Sequence, residues 1–386
     1  MQYRKFGKLD WQPSALGFGA MRLPIIGGDS GNIDQEKTTE MIRRAIDAGL
    51  NYVDTAYVYH EEKSEVAIGI ALEDGYRERV RIATKLPIWK VQESGDFDRM
   101  LNEELQRLQT DVIDFYLMHA LDQKSWEKVQ RLGLLKKAEA AIADGRIGHV
   151  GFSFHDSLDV FKQIVDGYDK WTFCQIQYNY MDTNFQAGRE GLQYAADKGL
   201  AVIVMEPLRG GKLAADIPAS KPVWALAEKK RTPADWSFQW IWNQEEVALV
   251  LSGMSTLEQV EQNLVSAEES GIGKLTTEEL ELIDTVRATL SGLSPIDCTR
   301  CGYCMPCTNG VNIPRMFDYY NRAAMYDILE STRKSYQGSM EEEQKAINCI
   351  QCDDCLPKCP QNIPISDWMP VVEDVLGNNQ PYQKTP

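Results

Sequence analysis

Short apolar runs alternate with amphipathic segments over roughly the first 270 residues of the chain. Eight of the runs have the length and β-branched content of strands, and the segments between them, such as TTEMIRRAIDAGL and FDRMLNEELQRLQ, repeat apolar residues with helical spacing. Several helical segments end at a glycine (Gly49, Gly145 and Gly199), which is typical of a helix C-terminus. The candidate strands span residues 14–21, 51–56, 80–87, 112–120, 148–153, 173–179, 200–207 and 247–254.

Eight consecutive strand–helix units predict an α/β protein and, within that class, a closed (β/α)₈ TIM barrel. A doubly wound open sheet is the alternative, because it has the same alternation of strands and helices. Its glycine-rich phosphate-binding turn should follow the first strand, but residues 17–22 read GFGAMR and do not match that motif. The barrel is therefore the favoured prediction.

The pattern changes near residue 290, which predicts a second domain. Residues 275–290 are one more amphipathic segment, and residues 291–297 combine Gly, Ser and Pro as linkers do. Beyond them, two cysteine runs each close on Asn-Ile-Pro and are separated by helical segments. We therefore predict a barrel over residues 1–290, a linker, a small, mostly α-helical domain over 298–370, and a loose tail over 371–386.

Cysteine usage indicates metal chemistry in the second domain. Eight of the nine cysteines lie between residues 298 and 359, and only Cys174 lies in the barrel region. Disulfide frameworks belong to small secreted domains, so this crowding in a long chain favours metal ligands. Cys174, inside a candidate strand, is predicted to be an inert core thiol. The predicted ligands are Cys298, Cys301, Cys304, Cys307, Cys349, Cys352, Cys355 and Cys359.

The spacing of these cysteines is typical of iron–sulfur ligands. The second run reads C-x₂-C-x₂-C-x₃-C-Pro, the bacterial ferredoxin spacing, and the first run has one residue fewer before its last Cys. The last cysteine of each run binds the other cluster in two-cluster ferredoxins, so we predict two 4Fe–4S clusters in a ferredoxin-like domain. Two structural Zn(Cys)₄ sites are the alternative. The predicted ligand sets are Cys298, Cys301, Cys304 and Cys359 for one cluster, and Cys349, Cys352, Cys355 and Cys307 for the other.

Four polar residues stand where candidate strands end, and these ends carry the chemistry in such barrels. Asp54 and Tyr59 follow the second strand, Lys85 ends the third and His119 ends the fourth. The segments VDTAYVYHEEKSE, ATKLP and FYLMHA resemble the aldo-keto reductase family, and the resemblance covers roughly residues 1–290. It implies an NAD(P)H-dependent oxidoreductase that transfers a hydride between nicotinamide and a carbonyl or alcohol substrate.

The chemistry of carbonyl reduction supports the assignment of the same four residues as catalytic. Hydride addition leaves an alkoxide that requires a proton, so an acid must stand at the oxygen. Free Tyr titrates near about 10, and a neighbouring ammonium lowers that pKa. We expect Tyr59 to be the general acid/base, Lys85 to tune it, Asp54 to anchor Lys85 and His119 to donate a hydrogen bond to the substrate oxygen. The structural alternative is a buried Asp54–Lys85 ion pair beside a packed Tyr59.

The resemblance also implies where the dinucleotide binds. Ser153 and Gln175 would hold the nicotinamide carboxamide, and Met205 would lie under the ring in place of the family's usual aromatic residue. Phe154 replaces the Asn that usually follows that Ser. The 207–212 loop would line the pyrophosphate. The expected cofactor contacts are Met21, Arg22, Ser153, Gln175, Met205, Pro207, Leu208, Gly210, Lys212, Gly253, Ser255, Gln259 and Asn263.

The choice between NAD(H) and NADP(H) depends on whether Lys or Arg side chains are placed to pair with the 2′-phosphate of NADP(H). Family members that prefer NADP carry Lys or Arg around positions equivalent to Gly253 and Gln259, and this chain has none there. A 2′-phosphate would have less to pair with, which favours NADH. NADPH remains the alternative, because a 2′-phosphate has three other cations to pair with, Arg22, Arg209 and Lys212.

The net charge of the chain limits the classes of partner that we expect. The net charge of −16 argues against nucleic acid or an anionic membrane surface. No apolar stretch approaches the roughly 20 residues that span a bilayer, and the N-terminus has no signal-peptide core, so we expect a cytoplasmic protein. The expected partners are a small carbonyl or alcohol substrate and, for the clusters, a redox partner protein.

Nicotinamide donates two electrons at once, whereas a 4Fe–4S centre takes one, and no flavin motif is recognisable to link them. Three functions therefore stay open. They are a carbonyl reductase with structural or sensing clusters, an electron-transfer protein linked by a flavin or partner, and a regulatory module that senses bound nicotinamide. The four site residues together disfavour the third, because a sensor need not keep them.

Overall fold

The computed structural model describes residues 1–300 and 302–386, so the predicted ligand Cys301 lies outside the described residues. The chain forms two compact units. The first comprises residues 1–215 and 231–280, and the second comprises residues 216–230 and 281–386.

Eight parallel strands of the first unit close into a barrel in chain order, with β1 paired to β8. The prediction of a (β/α)₈ barrel is confirmed, and the open doubly wound sheet is excluded by this closure. The strands are buried almost throughout, as expected for a parallel sheet covered by helices. They are β1 Leu16–Gly19, β2 Tyr52–Asp54, β3 Arg81–Pro87, β4 Ile113–Leu121, β5 Ile147–Phe154, β6 Phe173–Gln177, β7 Ala201–Met205 and β8 Val247–Gly253.

The helices follow the strands, and polar caps define several of their starts. Asp34 accepts from the backbone N–H of Lys37 at the start of α1, and Thr256 accepts from that of Gln259 at the start of α10. The first strand is shorter than predicted, because residues 20–22 turn into a 3₁₀ helix. The helices are α1 Gln35–Asp47, α2 Ser64–Ala71, α3 Asp96–Arg107, α4 Gln123–Arg131, α5 Leu134–Ala143, α6 Leu158–Asp166, α7 Gly188–Asp197, α8 Lys221–Trp224, α9 Pro233–Trp242, α10 Leu257–Glu268 and α11 Thr277–Ser291.

Aromatic side chains fill the barrel where its strands begin. The ring of Phe115 lies 5.0 Å from that of Phe6, 5.5 Å from that of Tyr52 and 5.3 Å from that of Phe173. Tyr52 and Phe173 are the first residues of their strands, so this apolar layer closes the N-terminal end. The C-terminal end is left for polar side chains.

The second unit has its own apolar core, built from Met316, Phe317, Tyr320, Trp368 and Met369 among others. The predicted helical content is present, although the stretch around residues 342–348 forms two 3₁₀ turns instead of a helix. This unit contains α8 and most of α11. Its further helices are α12 Ile313–Met325, α13 Leu329–Ser339 and α14 Ile365–Val372, followed by a π-helical turn, Glu373–Gly377.

The segment predicted as a loose tail is packed. Val375 and Leu376 are buried, and the Tyr320 hydroxyl donates to the carbonyl of Gln383 over 2.7 Å. The ring of Tyr382 stacks on that of Tyr320 at 4.9 Å. The apolar residues of the tail are few, but each one joins the core of the second unit. Within the described part of the chain, no helix combines the length and apolar character needed to cross a membrane.

Candidate active site

A cleft of about 1060 Å³ opens at the C-terminal ends of the barrel strands, and all four predicted catalytic residues line it. Asp54 is the last residue of β2, and Lys85 and His119 lie near the ends of β3 and β4. Lys85 Nζ donates to Asp54 Oδ1 and to the carbonyl of Thr55, each over 2.6 Å. Lys85 is 1% and Asp54 3% exposed, so the ion pair is inside the barrel mouth.

Tyr59 lies between this ion pair and His119. The Lys85 ammonium is 5.0 Å from the centre of the Tyr59 ring, and the His119 ring is 5.9 Å from it at a steep angle. Burial raises the pKa of Tyr59, and the Lys85 charge opposes that rise without reversing it. The lowering expected from the sequence is therefore not the net direction: Lys85 limits the rise in the phenol pKa that desolvation causes.

The pKa values of Asp54 and Lys85 are also set by burial acting against the charge of the partner. Burial raises the pKa of Asp54, and Lys85 acts against it. Burial alone lowers the pKa of Lys85, but Asp54 and Tyr59 outweigh it and the net direction is upward. An ammonium that donates to both a carboxylate and a carbonyl at 2.6 Å is held charged.

His119 is neutral in this environment. Burial and the Lys85 charge together bring its pKa well below the usual value. Its Nδ1 is buried and has no hydrogen-bond partner among the described residues, and the Trp89 ring lies 5.0 Å away with 54% of that residue exposed. A neutral imidazole can donate one hydrogen bond, as the predicted role requires.

Most of the predicted cofactor contacts line the same cleft. Ser153 and Gln175 face each other across the β5–β6 register, and the Ser153 hydroxyl accepts from the backbone N–H of Ala120 over 2.7 Å. Gln175 Oε1 is buried without a hydrogen-bond partner among the described residues, so an acceptor is available for an amide N–H. A nicotinamide carboxamide fits this requirement. The predicted contacts in the cleft are Met21, Arg22, Ser153, Gln175, Met205, Pro207, Leu208, Gly210 and Gly253.

Four predicted cofactor contacts do not line the cleft itself. Ser255 donates to the carbonyl of Arg22 over 2.8 Å and borders an adjoining cavity. Gln259 Oε1 accepts from the backbone N–H of Ser255, and Asn263 Nδ2 donates to the Ser252 hydroxyl. These three side chains are engaged with the protein, and their contact with a cofactor stays a prediction.

The cations considered for a 2′-phosphate are arranged differently from one another. Arg209 is buried and pairs with Asp182, with 3.1 Å between Nε and Oδ2. Arg22 borders the cleft, and Lys212 is the fourth predicted contact outside it. Both approach Gly210: Arg22 Nη2 and Lys212 Nζ lie 3.5 and 3.7 Å from where a Cβ would stand on that residue. A buried guanidinium already paired with a carboxylate is a poor phosphate ligand, which removes Arg209 from the candidates.

Three polar residues of the cleft were not predicted from the sequence. They are His155, Glu206 and Ser252. Phe154 packs against Phe161 at 5.0 Å between ring centres, so the position beside Ser153 is apolar and the next residue faces the cleft. The period-two alternation of a strand would have indicated His155 from Ser153.

The described cysteines of the second unit line two cavities. The larger, of about 440 Å³, is bordered by Cys307 and by the first three cysteines of the second run (Cys349, Cys352 and Cys355). The smaller, of about 310 Å³, is bordered by Cys298 and Cys359. Cys304 borders both. Among the described residues, no set of three His, Cys, Asp or Glu side chains converges on a single ion position, so the thiols border open space.

The electrostatic environment groups Cys307 with the second run. Burial raises the pKa of Cys349, and Cys307 and Cys352 raise it further. The pKa of Cys355 is raised in the same way, by burial and then by neighbouring thiols that include Cys307. The last cysteine of the first run therefore lies with the second run. Asp353 and Asp354 also line the larger cavity, but thiols are the donors common to both cavities, and thiols are the ligands of iron–sulfur clusters.

Cys174 is isolated from this chemistry. It is fully buried in β6, and burial raises its pKa strongly. We expect iodoacetamide to modify the eight other cysteines of the metal-free native protein and Cys174 only after unfolding. Mass spectrometry of labelled peptides checks this; rapid labelling of Cys174 in the native protein would contradict it.

Proteins of similar sequence are named as dehydrogenases and reductases. The chain is 28% identical over 312 residues to L-galactose dehydrogenase of Arabidopsis thaliana, a match that covers 73% of this chain and 94% of that protein. It is 26% identical over 314 residues to the NADH-specific methylglyoxal reductase of Escherichia coli (strain K12), covering 67% and 91%.

Solved structures share the barrel. An aldo-keto reductase from Bacillus halodurans in its holo form matches with a TM-score of 0.60 and 24% identity over 74% of this chain and 96% of that chain. An aldo-keto reductase from Klebsiella pneumoniae in complex with NADPH matches with a TM-score of 0.61 and 21% identity over 74% and 95%. At these identities the matches show the fold.

Two family models account for both parts of the chain. The model of the Aldo/keto reductase family matches residues 15–288, more than half of the chain. The model of a 4Fe-4S dicluster domain matches residues 297–363, where eight cysteines lie. The chain is therefore an oxidoreductase of the aldo-keto reductase family with a C-terminal 4Fe–4S dicluster domain.

Proposed function

We propose that the barrel reduces a small carbonyl compound, or oxidises the corresponding alcohol, with Tyr59 as general acid/base. The observation that carries the proposal is the buried Asp54–Lys85 ion pair, whose ammonium faces Tyr59 in a cleft that His119 also lines. A bound nicotinamide would supply or accept the hydride. The protein supplies the proton donor Tyr59, the Lys85 ammonium that acts on its pKa, and the contacts that hold both in position.

Each of the four residues has a separate role in the proposed reaction. Tyr59 gives its proton to the substrate oxygen as negative charge develops there. Lys85 stabilises the phenolate that remains, and Asp54 keeps the ammonium charged and in place. Neutral His119 donates a hydrogen bond to the same oxygen and helps to orient the substrate.

The cofactor side of the cleft would hold the nicotinamide carboxamide at Ser153 and Gln175, with the Met205 thioether against the ring. The unpartnered Gln175 Oε1 supports this assignment. We propose NADH as the preferred cofactor, because Arg209 is committed to Asp182 and no cation occupies positions 253 or 259. The curated relative named as NADH-specific is consistent with this choice.

For the second unit we propose two 4Fe–4S clusters with crossed ligand sets. One would be held by Cys349, Cys352, Cys355 and Cys307, and the other by Cys298, Cys301, Cys304 and Cys359. The two thiol-lined cavities and the grouping of Cys307 with the second run support this assignment. A cytoplasmic location accords with the proposal, because thiols stay reduced there.

Anaerobically reconstituted protein is expected to contain about eight iron and eight sulfide per chain. Cys352→Ser and Cys307→Ser should each halve the iron and abolish the same electron paramagnetic resonance signal of the reduced protein. Cys298→Ser should abolish the other signal, and Cys174→Ser should change neither. Different signals lost in Cys307→Ser and Cys352→Ser would contradict the crossed sets, and one zinc per cavity would contradict the clusters.

Electron transfer through the second unit is the second candidate function. Cys352 is exposed, so its cluster would be accessible to a one-electron partner protein. Anaerobic addition of NADH separates the candidates. If NADH is consumed only when a carbonyl substrate is present and the cluster absorbance stays constant, carbonyl reduction is supported. Bleaching of the clusters by NADH without a mediator would instead support electron transfer.

A further inference from the structure

The turn that follows Tyr59 has an unusual backbone. His60, Glu61 and Glu62 have φ values of 50°, 54° and 68°, so three consecutive side-chain-bearing residues lie in the left-handed region. Such conformations are strained for residues other than glycine and persist only where the surroundings enforce them. The turn begins at the proposed proton donor, so whatever enforces it also sets the position of Tyr59.

Ion pairs restrain one end of the turn. Glu62 pairs with Arg107 over 3.0 Å and also with Lys90. The Arg107 guanidinium in turn lies 4.1 Å from the centre of the Tyr57 ring. These contacts fix the turn to the neighbouring strand–helix unit, but they do not connect it to the opposite wall of the cleft.

His60 makes that second connection. Its ring is buried, with 9% of the residue exposed, and both ring nitrogens are used. Nε2 accepts from the backbone N–H of Leu23 over 3.1 Å, and Nδ1 lies 2.8 Å from the carbonyl oxygen of Ser30. An acceptor at Nε2 requires the proton to be on Nδ1, which then donates to Ser30. Only the neutral Nδ1–H form satisfies both partners.

The partner of Nε2 belongs to the cofactor side of the cleft. Leu23 directly follows Met21 and Arg22, which line the cleft together with Tyr59. His60 therefore joins the segment that carries the proton donor to the segment expected to contact the cofactor. Hydride and proton must reach the two atoms of one carbonyl group, so the spacing of these segments matters to the reaction.

We propose that His60 is a positioning residue, whose two ring hydrogen bonds hold Tyr59 at its working distance from the cofactor wall of the cleft. The inference rests on the proposed function of Tyr59. Removal of the acceptor at Nε2 breaks the connection to the Leu23 N–H. The strained turn can then relax, and Tyr59 moves with it.

The test compares His60→Gln and His60→Ala with the unaltered protein. A Gln side chain keeps an acceptor for the Leu23 N–H, so His60→Gln should keep most of kcat. His60→Ala removes the acceptor and should lower kcat at least about tenfold, with KM changed less than about twofold.

His149→Gln is the matched control, because His149 stacks on Phe115 at the far end of the barrel. It should retain the kcat of the unaltered protein. Hydrogen–deuterium exchange of the peptide that contains Leu23 is the readout that does not depend on activity. This amide should exchange faster in His60→Ala than in the unaltered protein or in His60→Gln.

The outcomes separate this inference from the proposed function. Three results would overturn the role of His60: a kcat of His60→Ala equal to that of the unaltered protein, a loss of kcat in His60→Gln as large as in His60→Ala, or unchanged exchange at Leu23 in His60→Ala. If no carbonyl is reduced by any variant, the proposed function fails, and the exchange of Leu23 still decides whether His60 holds the segment.

Discussion

Replacement of Tyr59 by Phe is expected to lower kcat/KM for carbonyl reduction by about 10²–10⁴-fold. The substitution removes one hydroxyl and leaves the ring to pack between Lys85 and His119. The remaining donor is neutral His119, whose lowered pKa marks an imidazole that gives up its only proton poorly. Steady-state kinetics with NADH and a small aldehyde measure the effect.

The binding of the dinucleotide serves as the control for this variant. Tyr59 makes no contact that the proposal assigns to the cofactor, so the Kd of Tyr59→Phe for NADH should change less than about twofold. A loss of binding would show that the cleft had rearranged. Undiminished turnover with unchanged binding would contradict the assignment of Tyr59 as proton donor.

Replacement of Lys85 by Met is expected to have the largest effect on stability, together with loss of activity. The substitution leaves the Asp54 carboxylate 3% exposed and without its ammonium. Breaking a buried pair by removing one partner costs about 3–5 kcal/mol of unfolding free energy. Denaturant unfolding followed by fluorescence measures this loss.

The pH dependence of Lys85→Met follows from the raised pKa of Asp54. Burial raises that pKa, and the variant loses the main opposing charge. Unfolded Asp titrates near about 3.9, so above this pH the folded variant binds a proton that the unfolded chain has released. Its stability is therefore greatest at acid pH and falls as pH rises toward the folded-state pKa.

The double variant Lys85→Met/Asp54→Asn should recover much of the lost stability. Equal instability of the double variant at every pH would contradict this account.

The barrel and its catalytic cleft were predictable because strand polarity determines where side chains meet. Asp54, Lys85 and His119 are far apart in sequence, but each stands near the end of a parallel strand, and such ends converge. The direction of the Tyr59 pKa could not be predicted in this way. It depends on how much water the folded cleft excludes, which no spacing of residues encodes.

Loops were harder to predict than strands. Gln259 and Asn263 are hydrogen-bonded within the β8–α10 segment, so their contact with the cofactor stays a prediction. His155 was not predicted because it lies one residue beyond β5, after the apolar Phe154.

The packed start of the tail was also missed. Val371, Val372, Val375 and Leu376 repeat with helical spacing, but residues 377–386, which follow them, are mostly polar.

The cysteine spacing supports a cluster assignment more strongly than a ligand partition. Two runs with x₂ spacing are unlike separated zinc pairs, and the dicluster family model agrees with them. Which run receives Cys307 depends on the chain between residues 307 and 349, whose path is set by the packing of α12 and α13. The sequence alone leaves that path open.

Isotope transfer tests the central claim, that the barrel passes a hydride directly to a carbonyl while Tyr59 supplies the proton. NADH that carries deuterium at both C4 positions is supplied to the protein with a small aldehyde under anaerobic conditions, and the alcohol is examined by mass spectrometry and NMR. We predict one deuterium on the carbinol carbon of each product molecule, in protein with or without its clusters. Product that contains only solvent hydrogen at that carbon would contradict the account, because the electrons would then have travelled separately from the hydrogen.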